Sequence, residues 1–225
     1  MTGTLRSAVA ELVGTFIFVF AIIGAINSES PFVPLAIGFA LMVLVYATGH
    51  ISGGHLNPAV SVGVWLRGGM GVGELVAYIV AQLVAATLAA LLSFVLWPAA
   101  GESLEVEIGP AIFAEALWTF VLVYVVLNTA TSKDHSNNSF YGLAIGTTVF
   151  VGAVTLGGIS GGGFNPAVAL GLSITGQFDW SAYWLYFLAP VVGAALAAVL
   201  FRVLNAHDRL PAPEADLATD NPTRD

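Results

Sequence analysis

The chain holds 225 residues, 57% of them hydrophobic and 9% charged, with a mean hydropathy of +0.88; soluble domains run at about 45–50% apolar and about 25% charged, so a soluble enzyme is excluded. The formal charge of −8, from 14 acidic against 6 basic residues without a basic cluster, leaves nothing to hold a nucleic-acid backbone. The absence of cysteine excludes disulfide scaffolds, thiolate metal sites and thiol nucleophiles.

A helix needs roughly 20 residues to cross a hydrocarbon layer of about 30 Å. Apolar runs of that size are expected near 8–27, 32–50, 74–96, 111–130, 139–157 and 181–204. The first continues past signal-peptide length with no convincing small-residue cleavage site, so it reads as a retained span. Polar, Gly/Pro-rich stretches separate the runs, and two of them carry Asn57-Pro58-Ala59 and Asn165-Pro166-Ala167. Beyond 204 the chain is polar and contains Pro211 and Pro213, with too little apolar surface to fold; 205–225 is expected to be a disordered cytoplasmic tail. Placing the N-terminus inside puts every Lys and Arg (Arg6, Arg67, Lys133, Arg202, Arg209 and Arg224) on the cytoplasmic side, the side where positive charge concentrates. Both termini are then cytoplasmic.

The chain repeats itself. Ala10-Glu11-Leu12-Val13-Gly14-Thr15-Phe16 returns as Ala114-Glu115-Ala116-Leu117-Trp118-Thr119-Phe120. Ile51-Ser52-Gly53-Gly54-His55-Leu56-Asn57-Pro58-Ala59-Val60 returns as Ile159-Ser160-Gly161-Gly162-Gly163-Phe164-Asn165-Pro166-Ala167-Val168. A single domain over 1–204 is therefore built from two halves, about 8–96 and 111–204. Each half holds three spans, an odd number, so the second sits inverted relative to the first.

Asn suits a helix N-cap and Pro the first helical position, so each motif starts a helix. The apolar stretches that follow, Ala59 to Leu66 and Ala167 to Ile174, are too short to span a bilayer and read as re-entrant half-helices. Their Gly-rich leaders require a protein-buried or wet environment. Two half-helices meeting head to head bring two N-termini of roughly +0.5 charge to the bilayer centre, which repels cations and protons. The amide NH₂ groups of Asn57 and Asn165 are free to donate to a passing oxygen once the side-chain oxygens cap their own helices. Neutral, oxygen-bearing solutes are favoured.

With these motifs in place, the sequence resembles the major intrinsic protein family of aquaporins and glycerol facilitators over roughly residues 8 to 204. The resemblance implies an all-α membrane protein, a right-handed bundle of six tilted transmembrane helices plus two half-helices, one pore per subunit and a homotetramer. By the family's spacing, Ile37, Ala153, Gly162 and Val168 form the outer constriction. The family's pattern puts Arg where this chain has Val168, so the resemblance implies a wider and more apolar filter. Ala169, where glycerol facilitators carry Asp, and the pair Tyr186-Phe187 look like water channels instead.

Two intramembrane carboxylates, Glu11 and Glu115, could serve as proton relays. Their equivalent positions in the repeats favour a structural role, accepting hydrogen bonds from the Gly-rich leaders, and the resemblance implies the same. His50 and His55 lie on the first leader, as a pH gate or as the loop scaffold that the family's histidines provide. No metal-ligand spacing, nucleophile with base, or cofactor motif is present. Small residues at helical spacing, Gly142 with Gly146 and Gly193 with Ala197, read as helix contacts, and Trp118 as packing. The expected function is a passive channel for water and small neutral solutes in a lipid bilayer, without cofactor, nucleic acid or enzyme chemistry. The alternatives are a facilitator for glycerol or other uncharged solutes and, from another class, a proton-coupled transporter. A prokaryotic cytoplasmic membrane is the expected location.

Overall fold

The computed structural model describes residues 3–208. Eight α-helices follow in order: α1 (Gly3–Asn27), α2 (Val33–Ser52), α3 (Pro58–Arg67), α4 (Val72–Ser93), α5 (Ile108–Val126), α6 (Tyr141–Ser160), α7 (Pro166–Ile174) and α8 (Tyr183–Leu204). A π-helical turn, Leu127–Thr131, prolongs α5, and a 3₁₀ turn, Trp180–Ala182, leads into α8. Six segments are long and apolar enough to cross a membrane, and α3 and α7, of 10 and 9 residues, are the two short helices expected after the Asn-Pro-Ala motifs.

Local sequence sets the ends of these elements. The second and fifth spans run to Ser52 and Ser160, two and three residues past the ends expected from the apolar pattern. In both cases the helix stops at a left-handed glycine, Gly53 (φ 87°) or Gly161 (φ 80°), whose N–H bonds the carbonyl four residues back, Gly49 or Gly157. This is a helix C-cap that L-residues adopt only with strain. The leader glycines thus terminate one helix before the motif begins the next. Gly157 and Gly158 are tolerated inside α6.

The two halves pack alike. Helix α1 lies on α2 and α4 as α5 lies on α6 and α8, and α2 meets α6 at the junction. Each half-helix crosses over: α3 packs on α8 and α7 on α4, and the two short helices touch each other. Close approach depends on small residues. A β-carbon on Gly146 would lie 2.5 Å from the Gly38 carbonyl oxygen, and one on Gly142 would lie 2.8 Å from the Tyr46 ring. One on Gly193 would strike the Ala116 carbonyl. The small-residue spacings are therefore contacts of α6 on α2 and of α8 on α5.

Of the tail expected beyond 204, Asn205 to Asp208 are described and 209–225 lie outside the described residues. Asp208 folds back onto the bundle. Its carboxylate pairs with Arg67 Nη2 at the end of α3 (3.1 Å) and accepts the Lys133 N–H (3.0 Å). Arg67 also donates to the Thr131 carbonyl (2.8 Å) and lies 4.6 Å over the Phe201 ring. Burial alone would push the Asp208 carboxyl up, but the Ser132 hydroxyl, the Lys133 N–H and the Arg67 guanidinium together hold it below its ordinary value. The pair ties the end of α8 to α3 and to the loop after α5. Removing one member of a buried pair strands the other, so Asp208→Ala is expected to cost about 3 kcal/mol, the low end for such pairs because Arg67 keeps the Thr131 carbonyl. The measurable result is a fall of roughly 8 °C in the thermal midpoint of the detergent-solubilised protein, followed by tryptophan fluorescence. The depressed pKa fixes the pH sign: the contribution is present above the ordinary aspartate pKa of about 3.9 and is lost on further acidification.

Candidate functional site

Both Asn-Pro-Ala motifs adopt the cap geometry their sequence requires. Asn57 and Asn165 are extended (φ −159° and −156°), and their Oδ1 atoms accept from the N–H of Ala59 at 2.8 Å and Ala167 at 2.9 Å. Pro58 and Pro166 take the first helical position, where the missing N–H costs nothing. Asn165 Oδ1 also accepts weakly from Val168 N at 3.4 Å.

The side-chain nitrogens reach across the junction. Asn57 Nδ2 donates to the Phe164 carbonyl at 2.9 Å, and Asn165 Nδ2 donates to the Leu56 carbonyl at 2.8 Å. Each tip is thereby fastened to the leader of the opposite repeat. An amide NH₂ carries two donors, so one N–H on each Asn is spent on this link and the other is left over. The sequence reading placed both donors at the disposal of a passing oxygen; the structure commits half of them to the frame. A narrow cavity of 20 Å³, room for about one water, lies against Asn57, Asn165, His55 and the apolar side chains of Phe18, Leu41, Leu122, Val126, Ile145 and Val149.

The two carboxylates hold the leaders. Glu11 is fully buried and accepts four hydrogen bonds: Ser52 Oγ (2.7 Å), His55 N (2.9 Å), Leu56 N (2.7 Å) and Gln82 Nε2 (2.9 Å). Glu115, also fully buried, accepts three: Ser160 Oγ (2.7 Å), Gly163 N (2.9 Å) and Phe164 N (2.6 Å). The difference has a simple origin. Gln82 stands four residues after Tyr78, and the equivalent place after Tyr186 is Pro190, which has no amide to offer. Charge-assisted bonds of this kind are the strong ones, and they fix leader backbone that has no helical partner of its own.

Two tyrosines complete the frame and were missed as site residues from sequence. Tyr78 Oη donates to the Ser52 carbonyl at 2.7 Å, and Tyr186 Oη to the Ser160 carbonyl at 2.6 Å. The signal was available: each Tyr follows its Ser by the same interval in the two repeats. His55 is braced on three sides, with its N–H on Glu11, its Nδ1 3.1 Å from Ser61 Oγ and its ring edge-on to Tyr78 at 5.2 Å. His50 is exposed at the end of α2 and lines a cavity of 450 Å³ walled by residues 129–133 and 135–138.

Of the four positions expected at the constriction, Gly162 and Ala153 are adjacent. A β-carbon on Gly162 would sit 3.5 Å from the Ala153 Cα. Val168 is buried in the first turn of α7, and Ile37 is half-buried in α2, packed against the core.

Residues 1–201 match the family description Major intrinsic protein. The chain is 38% identical over 217 residues to the glycerol uptake facilitator protein-like 6 of Lactiplantibacillus plantarum, covering 91% of this chain and 100% of that one. It is 32% identical over 249 residues to aquaporin AqpM of Methanothermobacter marburgensis, covering 92% and 100%. The fold matches the X-ray structure of the Plasmodium falciparum aquaglyceroporin with a TM-score of 0.75 at 21% identity, over 91% of this chain and 98% of that one. Six crossing helices with two inverted, Asn-capped half-helices, and a match running almost from end to end, make this multi-pass membrane chain a member of the major intrinsic protein family.

Proposed function

We propose that the chain is a passive channel conducting water and small neutral solutes through the junction of α3 and α7. The observation that carries this reading is the pair of half-helix tips, each with a side-chain amide fastened across the junction and one N–H left to donate. The tips present positive dipole ends to the same point, so a cation or proton there meets unfavourable charge while a neutral oxygen meets donors. Pro58, Ala59, Pro166 and Ala167 begin the half-helices, and Glu11 and Glu115 are structural carboxylates whose lone pairs are engaged by the leaders. His55 scaffolds the first leader, and His50 sits at the rim of the vestibule.

Ile37, Ala153, Gly162 and Val168 form the selectivity constriction. The side-chain-free Gly162, the small Ala153 and the aliphatic Val168 leave it apolar and without a bulky or charged side chain, which favours a second reading as a glycerol or polyol facilitator. The relatives' names divide in the same way. The Arg67–Asp208 clasp and the basic residues lie on the cytoplasmic face, with both termini inside a prokaryotic plasma membrane. Exposed apolar faces such as Val76, Val80 and Val84 on α4 meet lipid or neighbouring subunits in a homotetramer.

Stopped-flow light scattering on proteoliposomes tests the reading, with protein-free vesicles as baseline. Fast shrinkage in an impermeant osmolyte is the expected result, and re-swelling in glycerol assigns the facilitator. No gain over the baseline for either sinks the channel. The absence of cysteine gives a further expectation: mercurials leave the permeability unchanged, and block reversed by a thiol reductant would contradict it.

A further inference from the structure

Two cavities of the molecule meet at one residue. Gly53 lines both the narrow space beside Asn57 and Asn165 and the wider cavity of 450 Å³ next to His50, so a solute that crosses the junction also crosses the wider cavity. Most of the wider wall belongs to the loop between α5 and α6, residues 129–133 and 135–138. That loop leaves α5 through the π-helical turn Leu127–Thr131, a distortion frequent at functional sites. Its own bonds fold it on itself: His135 Nδ1 donates to the Asn128 carbonyl at 2.9 Å, and Asn138 Nδ2 donates to the Thr129 carbonyl at 2.6 Å. These bonds give the loop a shape without fixing where it stands on the bundle.

Its position is set from behind. The Asp208 carboxylate accepts the Lys133 N–H at 3.0 Å and a bond from the Ser132 hydroxyl, and it meets Arg67 Nη2 at 3.1 Å. Arg67 in turn donates to the Thr131 carbonyl at 2.8 Å. One residue before Asp208, His207 Nε2 meets the Asp134 carboxylate at 3.0 Å on the surface. Three consecutive loop residues are therefore tied to two residues that follow α8. The buried Arg67–Asp208 pair is poorly built as a source of stability, since Nε and Nη1 of Arg67 have no partner among the described residues. Buried pairs of this kind do little better than apolar side chains, and their best-attested use is to fix register. The register fixed here is that of the loop against the ends of α3 and α8.

We propose that His207 and Asp208 form a latch that holds residues 131–135 back from the solute path and so keeps this mouth of the channel open. The inference rests on the channel reading above. Without Asp208, the Lys133 N–H and the buried Ser132 hydroxyl lose their acceptor and regain one only from water. The solvent-accessible cavity lies directly in front of them, so the polar stretch from Ser132 to Asn137 moves inward and narrows the mouth. The mouth stands in series with the junction. Its closure scales every permeant alike, whereas a change at the constriction alters the ratio between permeants. Asp208 is thus a positioning residue that acts through the loop.

The test uses the full chain in proteoliposomes, with the protein in the vesicles quantified so that permeability is expressed per assembled channel. Asp208→Ala is expected to lower the permeability to water, and to glycerol where the wild type admits it, about threefold with their ratio unchanged, as for a loop that spends about two-thirds of its time inward. Lys133→Pro and Lys133→Ala differ in the N–H that Asp208 holds, and proline fits the site because Ser132 before it is extended (φ −73°, ψ 137°) and residue 133 opens a 3₁₀ turn. The proline variant is expected to conduct about twofold less than the alanine variant, and this pair decides alone if Asp208→Ala does not assemble. Adding Asp134→Cys and His207→Cys to Asp208→Ala gives a chain without other cysteines two neighbouring thiols, and joining them with a short bismaleimide is expected to return the lost permeability. A merely structural Asp208 lowers the assembled yield, leaves the permeability per channel at the wild-type value and gives the bridge nothing to restore. That result, a rise in permeability, a shifted ratio or a bridge without effect overturns the latch. Wild-type vesicles no faster than protein-free ones for water and glycerol alike overturn the channel reading instead.

Discussion

Val168→Arg is expected to cut passage of the largest neutral solute roughly tenfold, equivalent to about 1.4 kcal/mol on the barrier, while water falls by no more than about threefold. Val168 is buried in the first turn of α7, three residues after the Asn165 cap, and its N–H still leans toward that cap at 3.4 Å. The constriction proposed above puts Val168 in one ring with Gly162 and Ala153, neither of which carries a bulky side chain, so a long side chain at 168 is expected to occupy that ring. Guanidinium adds volume, five donors and a charge that never titrates in this pH range. Volume excludes polyols first. Water is smaller and can exchange a neighbouring water for one of the new donors. The added charge also joins the dipole ends at α3 and α7, so any residual cation leak should fall. Light scattering with the assembled variant measures both permeabilities in one preparation. Unchanged solute passage would remove Val168 from the constriction and, with it, the placement of Ala153 and Gly162 by the same spacing.

How much of this was legible beforehand depends on the distance over which each feature is determined. The half-helices are local: Asn57-Pro58 and Asn165-Pro166 contain their own cap and first-turn chemistry, and α3 and α7 begin where those residues stand. The inversion of the two halves follows from counting spans, and the six crossing helices lie where apolar runs reach membrane length. Helix ends were less legible. The fifth apolar run is expected to end at 157, yet α6 runs on to Ser160 because a left-handed glycine, not a weak helix former, is what ends it. The contacts that join distant segments could not be read at all. Asn57 meets Phe164 and Asn165 meets Leu56 across more than a hundred residues, so only the folded junction shows that one donor of each amide is already committed. Asp208 stood in a stretch too polar to fold alone; it is ordered because Arg67 and the Lys133 N–H wait for it on the bundle. Trp118 read as packing, and its seat against Phe164 appears only when Gly152 is seen to leave room for both rings.

Glu115→Gln is expected to reduce the assembled yield severely, and to do so more than Glu11→Gln. A carboxylate accepts at both oxygens. At Glu115 both are occupied by donors, Oε1 by Ser160 Oγ and Gly163 N and Oε2 by Phe164 N at 2.6 Å. The amide of glutamine replaces one oxygen with a donor, so either Phe164 N or Gly163 N then faces another N–H. Each buried donor left without an acceptor costs about 1–3 kcal/mol, and the remaining bonds lose their charge assistance. The damage differs between the halves because Glu11 has Gln82 beside it, whose own amide can reorient and offer its oxygen to the new NH₂. Pro190 gives Glu115 no such neighbour. Size-exclusion profiles after membrane extraction measure the yield, and proton flux into pH-sensitive vesicles separates the two roles that an intramembrane carboxylate can have. A frame residue yields little protein, and what assembles conducts as the wild type does at every pH. A Glu115→Gln protein that assembles normally while its transport ceases to respond to a pH gradient would instead identify the carboxylate as a proton carrier, and three hydrogen bonds to the leader would then be the resting state of a relay.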